Sequence, residues 1–238
     1  MLPGFAQFFE HEQAAPAWTN PYVTDGLVAM WDGEWNAGGG VHDANATVWK
    51  DLVGTRDATL SGTYSWVAKS WARDASSSTK CLLPDIPLGQ NFMCEYCCVL
   101  HNAGDGNFRD FSTTSSIRFE LTQNSNNSTS LYYRNVNDSY VARGIGSLGT
   151  SRVARTFSFG FDTLGGIYAL DGGSVSYDRT VNTPISTSFY NNPTISVGQY
   201  YTLSEDADYY NIRIYSRPLT ADEIAANYAI DKARFNLP

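Results

Sequence analysis

The stretch from Tyr209 to Tyr228 constrains the fold more than any other part of the chain. Tyr210, Ile212 and Ile214 alternate with Asn211, Arg213 and Tyr215, the two-residue period of a half-buried strand. Pro218 ends the pairing, because it has no N–H to donate to a ladder. Thr220 and Glu223 follow at capping-box spacing, with Leu219 and Ile224 at the two positions of a hydrophobic staple, so a short helix is predicted over residues 221–230. Upstream, short strand signals alternate with turn signals. Ile117, Phe119 and Leu121 alternate with Arg118 and Glu120, and Phe157, Phe159 and Phe161 with Ser158 and Gly160. Glycines after Asp162 and Asp171 supply the positive φ that tight hairpins need. Many strands closed by one helix predict an all-β fold: a two-sheet antiparallel jelly-roll sandwich.

A chain of 238 residues with 42% hydrophobic content fits one such sandwich. Residues 24–238 read as that domain, and residues 1–23 as an extended N-terminal arm broken by Pro16 and Pro21. The arm carries Phe5, Phe8, Phe9 and Trp18. These either pack on the chain's own sandwich or dock on a partner, a second copy or a virion subunit, because an exposed aromatic cluster seldom stays uncovered. A net charge of −8 and a pI near 4.8 argue against nucleic acid, which demands clustered Lys and Arg. No apolar run approaches the length of a membrane span. The first basic residue is Lys50, so no positive leader region precedes an apolar one, and synthesis in the cytoplasm is expected.

The closing segment also carries a resemblance. Asn211, Arg213, Ile214, Tyr215, Arg217, Leu219, Glu223, Ile224 and Tyr228 resemble the closing motif of laminin-G-like, concanavalin-A-like jelly rolls. The run from Asp25 to Trp31, and those from Thr47 to Gly54 and Asp57 to Leu60, look like the same family's first strands. Tyr168 to Ser176 is similar to one of its hairpins, and the likeness spans Thr24 to Ala233. It implies a fold and little about function, because site and fold are separate arguments.

Within that fold, glycoside hydrolysis needs two carboxylates facing one cleft. The glucanases of this jelly roll are similar in carrying Glu-x-Asp-x-x-Glu on one strand, and the chain has no such motif. Glu95 has Cys97 two residues on, and Glu120 has Arg118 and Thr122 beside it, so neither shows an acidic neighbour on its own face. Sialidase-like chemistry would want an arginine cluster and a tyrosine nucleophile, whereas the arginines here read as isolated. The sequence therefore predicts a protein that is not an enzyme. The four cysteines, at 81, 94, 97 and 98, read as buried packing residues, since 94 and 97 face opposite sides of one strand.

Calcium is the one cofactor the residues suggest. Asp32, Asp43 and Asn45 lie in a loop region rich in oxygen ligands, and the resemblance implies a calcium site at the sandwich rim. Turn chemistry explains the same residues, because Asp and Asn bond their own backbone. For a glycan, the doublets Tyr132–Tyr133 and Tyr200–Tyr201, and Tyr209 beside Tyr210, each place one ring away from the core if the strands are regular. The expected function is non-catalytic recognition or adhesion, with a surface glycan or polymer bound by these rings, in a phage virion (tail or decoration) protein or at an extracellular surface. The alternative is a structural assembly subunit of a virion with no ligand, and less favoured still is a glycoside hydrolase.

Overall fold

The strand β7 (Phe92–Leu100) shows why the chain forms two layers. Phe92, Cys94, Tyr96 and Cys98 enter the main core, while Met93 and Cys97 join separate clusters on the opposite face. The neighbouring strand β12 (Arg155–Asp162) repeats the pattern with Phe157, Phe159 and Phe161, and its Phe157 ring stacks on Tyr96 at 5.0 Å. Where the two strands come closest there is room for no side chain: a Cβ on Gly160 would lie 2.1 Å from the Phe92 carbonyl oxygen. The four cysteines are buried thiols outside any disulfide, with Cys94 and Cys97 on opposite faces.

A computed structural model describes residues 18–73, 79–84, 86, 88–89, 91–101, 108–113, 119–123, 128–134, 140–147, 153–179, 195–197 and 207–237. Two antiparallel eight-stranded sheets are seen among the described residues. The first runs β14 (Ser176–Tyr177), β13 (Gly165–Leu170), β12, β7, β16 (Ala207–Tyr215), β5 (Ser70–Arg73), β4 (Tyr64–Val67), with β1 (Leu27–Asp32) also paired to β16. The second runs β11 (Tyr140–Ser147), β10 (Ser128–Arg134), β9 (Phe119–Gln123), β8 (Phe108–Thr113), β15 (Ile195–Val197), β6 (Lys80–Leu83), β3 (Ala58–Ser61), β2 (Val48–Trp49). Trp49, Leu60, Cys81, Leu83, Leu131 and Tyr133 of the second sheet meet the aromatic row of the first, so the predicted all-β jelly-roll sandwich is the observed fold.

One detail of the closing strand differs from the expected alternation. A β-bulge interrupts the β16–β7 register between Tyr209 and Asn211. An extra residue shifts the side-chain phase, so Tyr209, Ile212 and Ile214 enter the core while Tyr210 and Asn211 both face outward. The helix α1 (Ala221–Phe235) covers that outward face. It starts as the sequence predicts: the Thr220 side chain accepts from the Glu223 amide at 3.2 Å, and the Thr220 amide donates to Glu223 at 2.8 Å. Leu219 and Ile224 share one buried cluster. The helix runs past residue 230 because its last turn still has partners, with Asp231, Arg234 and Phe235 all meeting other elements.

The end of the expected arm, residues 18–23, lies against the sandwich. The Tyr22 ring is buried, the Val23 amide donates to Asn227 of α1, and Trp18 meets Trp35 edge-on at 5.4 Å. Phe5, Phe8 and Phe9 lie outside the described residues. Among the described residues no helix is long and apolar enough to cross a membrane.

Candidate functional site

Among the polar clusters of the described residues, two are candidates for a site, and their exposure separates them. The first is the joint between α1 and the outer face of β16. Arg213 donates to both carboxylate oxygens of Asp231 at 2.8 and 2.7 Å and to Glu95 at 3.2 Å. Ser158 and Asn227 donate to Glu95 at 2.7 and 2.6 Å, and Tyr22, Asn211 and Thr156 complete the shell of Asp231. Alongside, Arg234 holds Asp32 through two hydrogen bonds and Glu34 through a third.

This joint corrects two sequence expectations. Glu95 does gain an acidic neighbour, supplied not by its own strand but by α1. The arginines are not isolated either, since the guanidinium carbons of Arg213 and Arg234 lie 4.1 and 5.7 Å from the centre of the Tyr22 ring. Arg213, Glu95 and Asp231 have no exposed surface, and the two carboxylates share the one guanidinium. Burial pushes the Glu95 carboxyl above its ordinary range, partly opposed by Arg213. At Asp231 burial acts in the same upward direction, but the Arg213 guanidinium and the converging hydrogen bonds outweigh it and hold the group below its usual value. Chemically this is an internal clamp, closed to a ligand.

The residues expected to hold calcium are divided by the fold. Asp32 is fully buried, bound by Arg234, and caps the short 3-10 helix Gly33–Trp35 by accepting from the Glu34 amide. Its oxygens are thus committed to a guanidinium, which removes it from the expected metal set. Asp43 accepts from the Asn45 amide at 2.8 Å and is tied through its backbone to Asn36, which is turn chemistry. Among the described residues no three His, Cys, Asp or Glu side chains converge as a metal would require.

The second place is open. The loop at residues 44–46 folds back over β4, the outermost strand of the first sheet, and leaves a shallow groove of about 440 Å³. Two aromatic side chains fasten that loop: the Trp66 indole N–H donates to the Ala46 carbonyl at 2.8 Å, and the Tyr64 hydroxyl reaches the same oxygen at 3.5 Å. Trp66 is anchored from behind by Trp49, edge-on at 5.4 Å, and Tyr64 leans on Trp71 at 6.3 Å. Gly62, at φ +86°, turns the chain into β4 where a Cβ would meet the Thr79 backbone at 2.4 Å. Asn45, Thr63 and Ser65 also line the groove, the last two alternating along the chain with the core-facing Tyr64 and Trp66. Burial raises the Tyr64 hydroxyl above its ordinary pKa, which keeps it a neutral donor. A half-buried ring at an open groove can stack on a flat apolar face, and the Asn45 amide in the same lining can grip a polar rim.

Of the predicted tyrosines, the structure places Tyr133 and Tyr209 wholly inside. Tyr133 donates to Asp178 at 3.0 Å, and Tyr209 packs between Trp71 and Tyr96. The outward member of the last doublet, Tyr210, is covered by Phe235 at 4.8 Å, because α1 lies over that face. Tyr200, Tyr201 and the side chain of Tyr132 fall outside the described residues. Asn45, expected as a metal ligand, instead lines the groove. Tyr64 and its neighbours were missed, although Thr63 and Ser65 alternate with Tyr64 and Trp66, a period-two signal of a strand with one apolar and one polar side. Tyr177 is a further exposed ring, 55% accessible, with the Arg179 guanidinium 4.7 Å from its centre.

No family model matches the chain, and no match is found among curated proteins. Solved structures do match in fold. Trypanosoma rangeli sialidase in complex with sialic acid is 14% identical with a TM-score of 0.67, over 93% of this chain and 36% of that one. The same sialidase with the inhibitor DANA is 17% identical with a TM-score of 0.65, over 90% and 35%. The receptor-binding domain of botulinum neurotoxin C/D mosaic serotype is 10% identical with a TM-score of 0.65, over 88% and 52%. The chain thus spans about a third of the sialidases and half of the toxin domain, and at these identities the likeness is one of fold. The expectation that the chain is not an enzyme is overturned here: glycoside hydrolases stand among the neighbours, so the fold cannot be used to set catalysis aside.

Proposed function

We propose that this chain is a glycan-recognition domain of the laminin-G-like, concanavalin-A-like kind, and that its site is the groove along β4. The observation that carries the reading is the Tyr64 ring, half-buried and leaning on Trp71, with Asn45 in the same open groove. The fold neighbours support it: one is a sialidase in complex with sialic acid, and another is a toxin's receptor-binding domain. We further propose an outward-facing setting, a virion or cell exterior, where a shallow groove can meet a surface polymer.

A glycan array followed by titration of the strongest hit tests this. Tyr64→Ala should weaken binding by about 30-fold, the scale of a buried aromatic hot spot, while Tyr64→Phe should retain most of it. Unchanged affinity in a folded Tyr64→Ala protein, judged by its melting temperature, would remove the groove from the reading.

A further inference from the structure

The joint under α1 brings together more carboxyl groups than cations. Asp32 and Glu34 are balanced, facing Arg234 and Lys69. The wholly buried part is not, because Glu95 and Asp231 face the single guanidinium of Arg213. Asp231 takes both terminal nitrogens of Arg213 and three further hydrogen bonds, from Tyr22, Asn211 and Thr156, which are the surroundings of an anion. Glu95 takes less. Its Oε2 accepts from Arg213 and from Asn227, whose amide is oriented by the Val23 N–H on its oxygen. Its Oε1 meets, among the described residues, the Ser158 hydroxyl alone, at 2.7 Å, and a hydroxyl accepts as readily as it donates.

The other titratable groups packed around Glu95 bring no cation. Tyr22 comes from the arm, Tyr215 from β16, and Cys94 and Cys97 from β7 itself; burial pushes all four upward, so they stay neutral. From β12 come the hydroxyls of Thr156 and Ser158, and Arg155 of that strand is paired with Asp171. A carboxylate kept from water without a counter-charge of its own is costly, and a proton removes that cost. We infer that the folded protein carries Glu95 as a neutral acid, with a proton taken up from solvent on Oε1 and donated to Ser158, and that this proton helps to hold α1 against the sheet. The unfolded chain releases it near the ordinary 4.5, so the stability it supplies is complete below that pH and is lost as pH rises through the higher folded-state value.

Glu95→Gln in the full chain is the test, because the amide is an isostere of the neutral acid: its N–H can donate to Ser158 while its oxygen accepts from Arg213 and Asn227. At about pH 6 the variant should melt within about 2 °C of the unsubstituted protein. Toward about pH 9 the unsubstituted protein should lose stability, and hydrogen-exchange protection of its α1 amides, that the variant keeps. A variant that fails to fold, or is destabilised by several degrees at every pH with an unchanged pH slope, would mean that Arg213 needs an anion at this position, and would overturn the inference. A second measurement needs no variant. With glutamate carrying carbon-13 at the carboxyl, one resonance of the native protein should hold its protonated position at neutral pH, and a spectrum with every glutamate ionised there would overturn the inference as well.

Discussion

At the scale of single residues, Arg213 is the side chain on which the interior depends most. Its guanidinium is wholly buried between Glu95 and Asp231, and it stays charged because both carboxylates favour that form over the cost of burial. Removing one member of such a group leaves the others without compensation. Arg213→Met should therefore cost about 3–5 kcal/mol in urea-unfolding experiments. A loss below about 1 kcal/mol would show that Glu95 and Asp231 had found protons or another counterion. The sequence shows Arg213 only as an outward residue of a strand, which is correct as far as it goes. Its partners stand 118 and 18 positions away, a pairing no local pattern displays. The same distance hid the fate of Glu95, whose acidic neighbour comes from the helix.

At the scale of elements, local chemistry was legible and departures from regularity were not. The capping box and the staple of α1 are spelled by consecutive residues, and both form. The bulge in β16 has no comparable spelling, so the alternation read from Tyr210 slips by one position there, and Tyr209 becomes a core residue instead of a surface ring. The groove was half legible: β4 alternates in plain view, but its roof is a loop from about twenty residues upstream, held to Tyr64 and Trp66 by side-chain bonds. The helix start also makes a prediction about acid. Glu223 is bound by Arg217 and by the Thr220 amide, and its carboxyl is pulled down from 4.5 to about 2. A folded-state pKa below the unfolded one gives stability that is present above pH 4.5 and lost as pH falls toward 2. Glu223→Gln should flatten that part of the stability–pH curve measured by chemical unfolding. An unaltered slope would mean that the pair contributes nothing there.

At the scale of the whole molecule, the sandwich class follows from many short amphipathic strands, but their order does not. The strand next to β7 on one side is β12 and on the other β16, an arrangement in which distant segments become neighbours. The helix completes this assembly instead of decorating it, since its Asp231 is needed to neutralise Arg213 and its apolar side closes over Met93, Cys97 and Tyr215. A chain truncated after Arg217 should accordingly show no cooperative melting by circular dichroism. A sharp transition near the full-length temperature would show that the sheets stand without their cover. One consequence follows from the pairing of β1 with β16, in which Leu27 lies opposite Tyr215. The backbone enters and leaves the two layers at adjacent points, so tension delivered across those points would peel the strands apart rung by rung, like a zip, instead of loading every rung together.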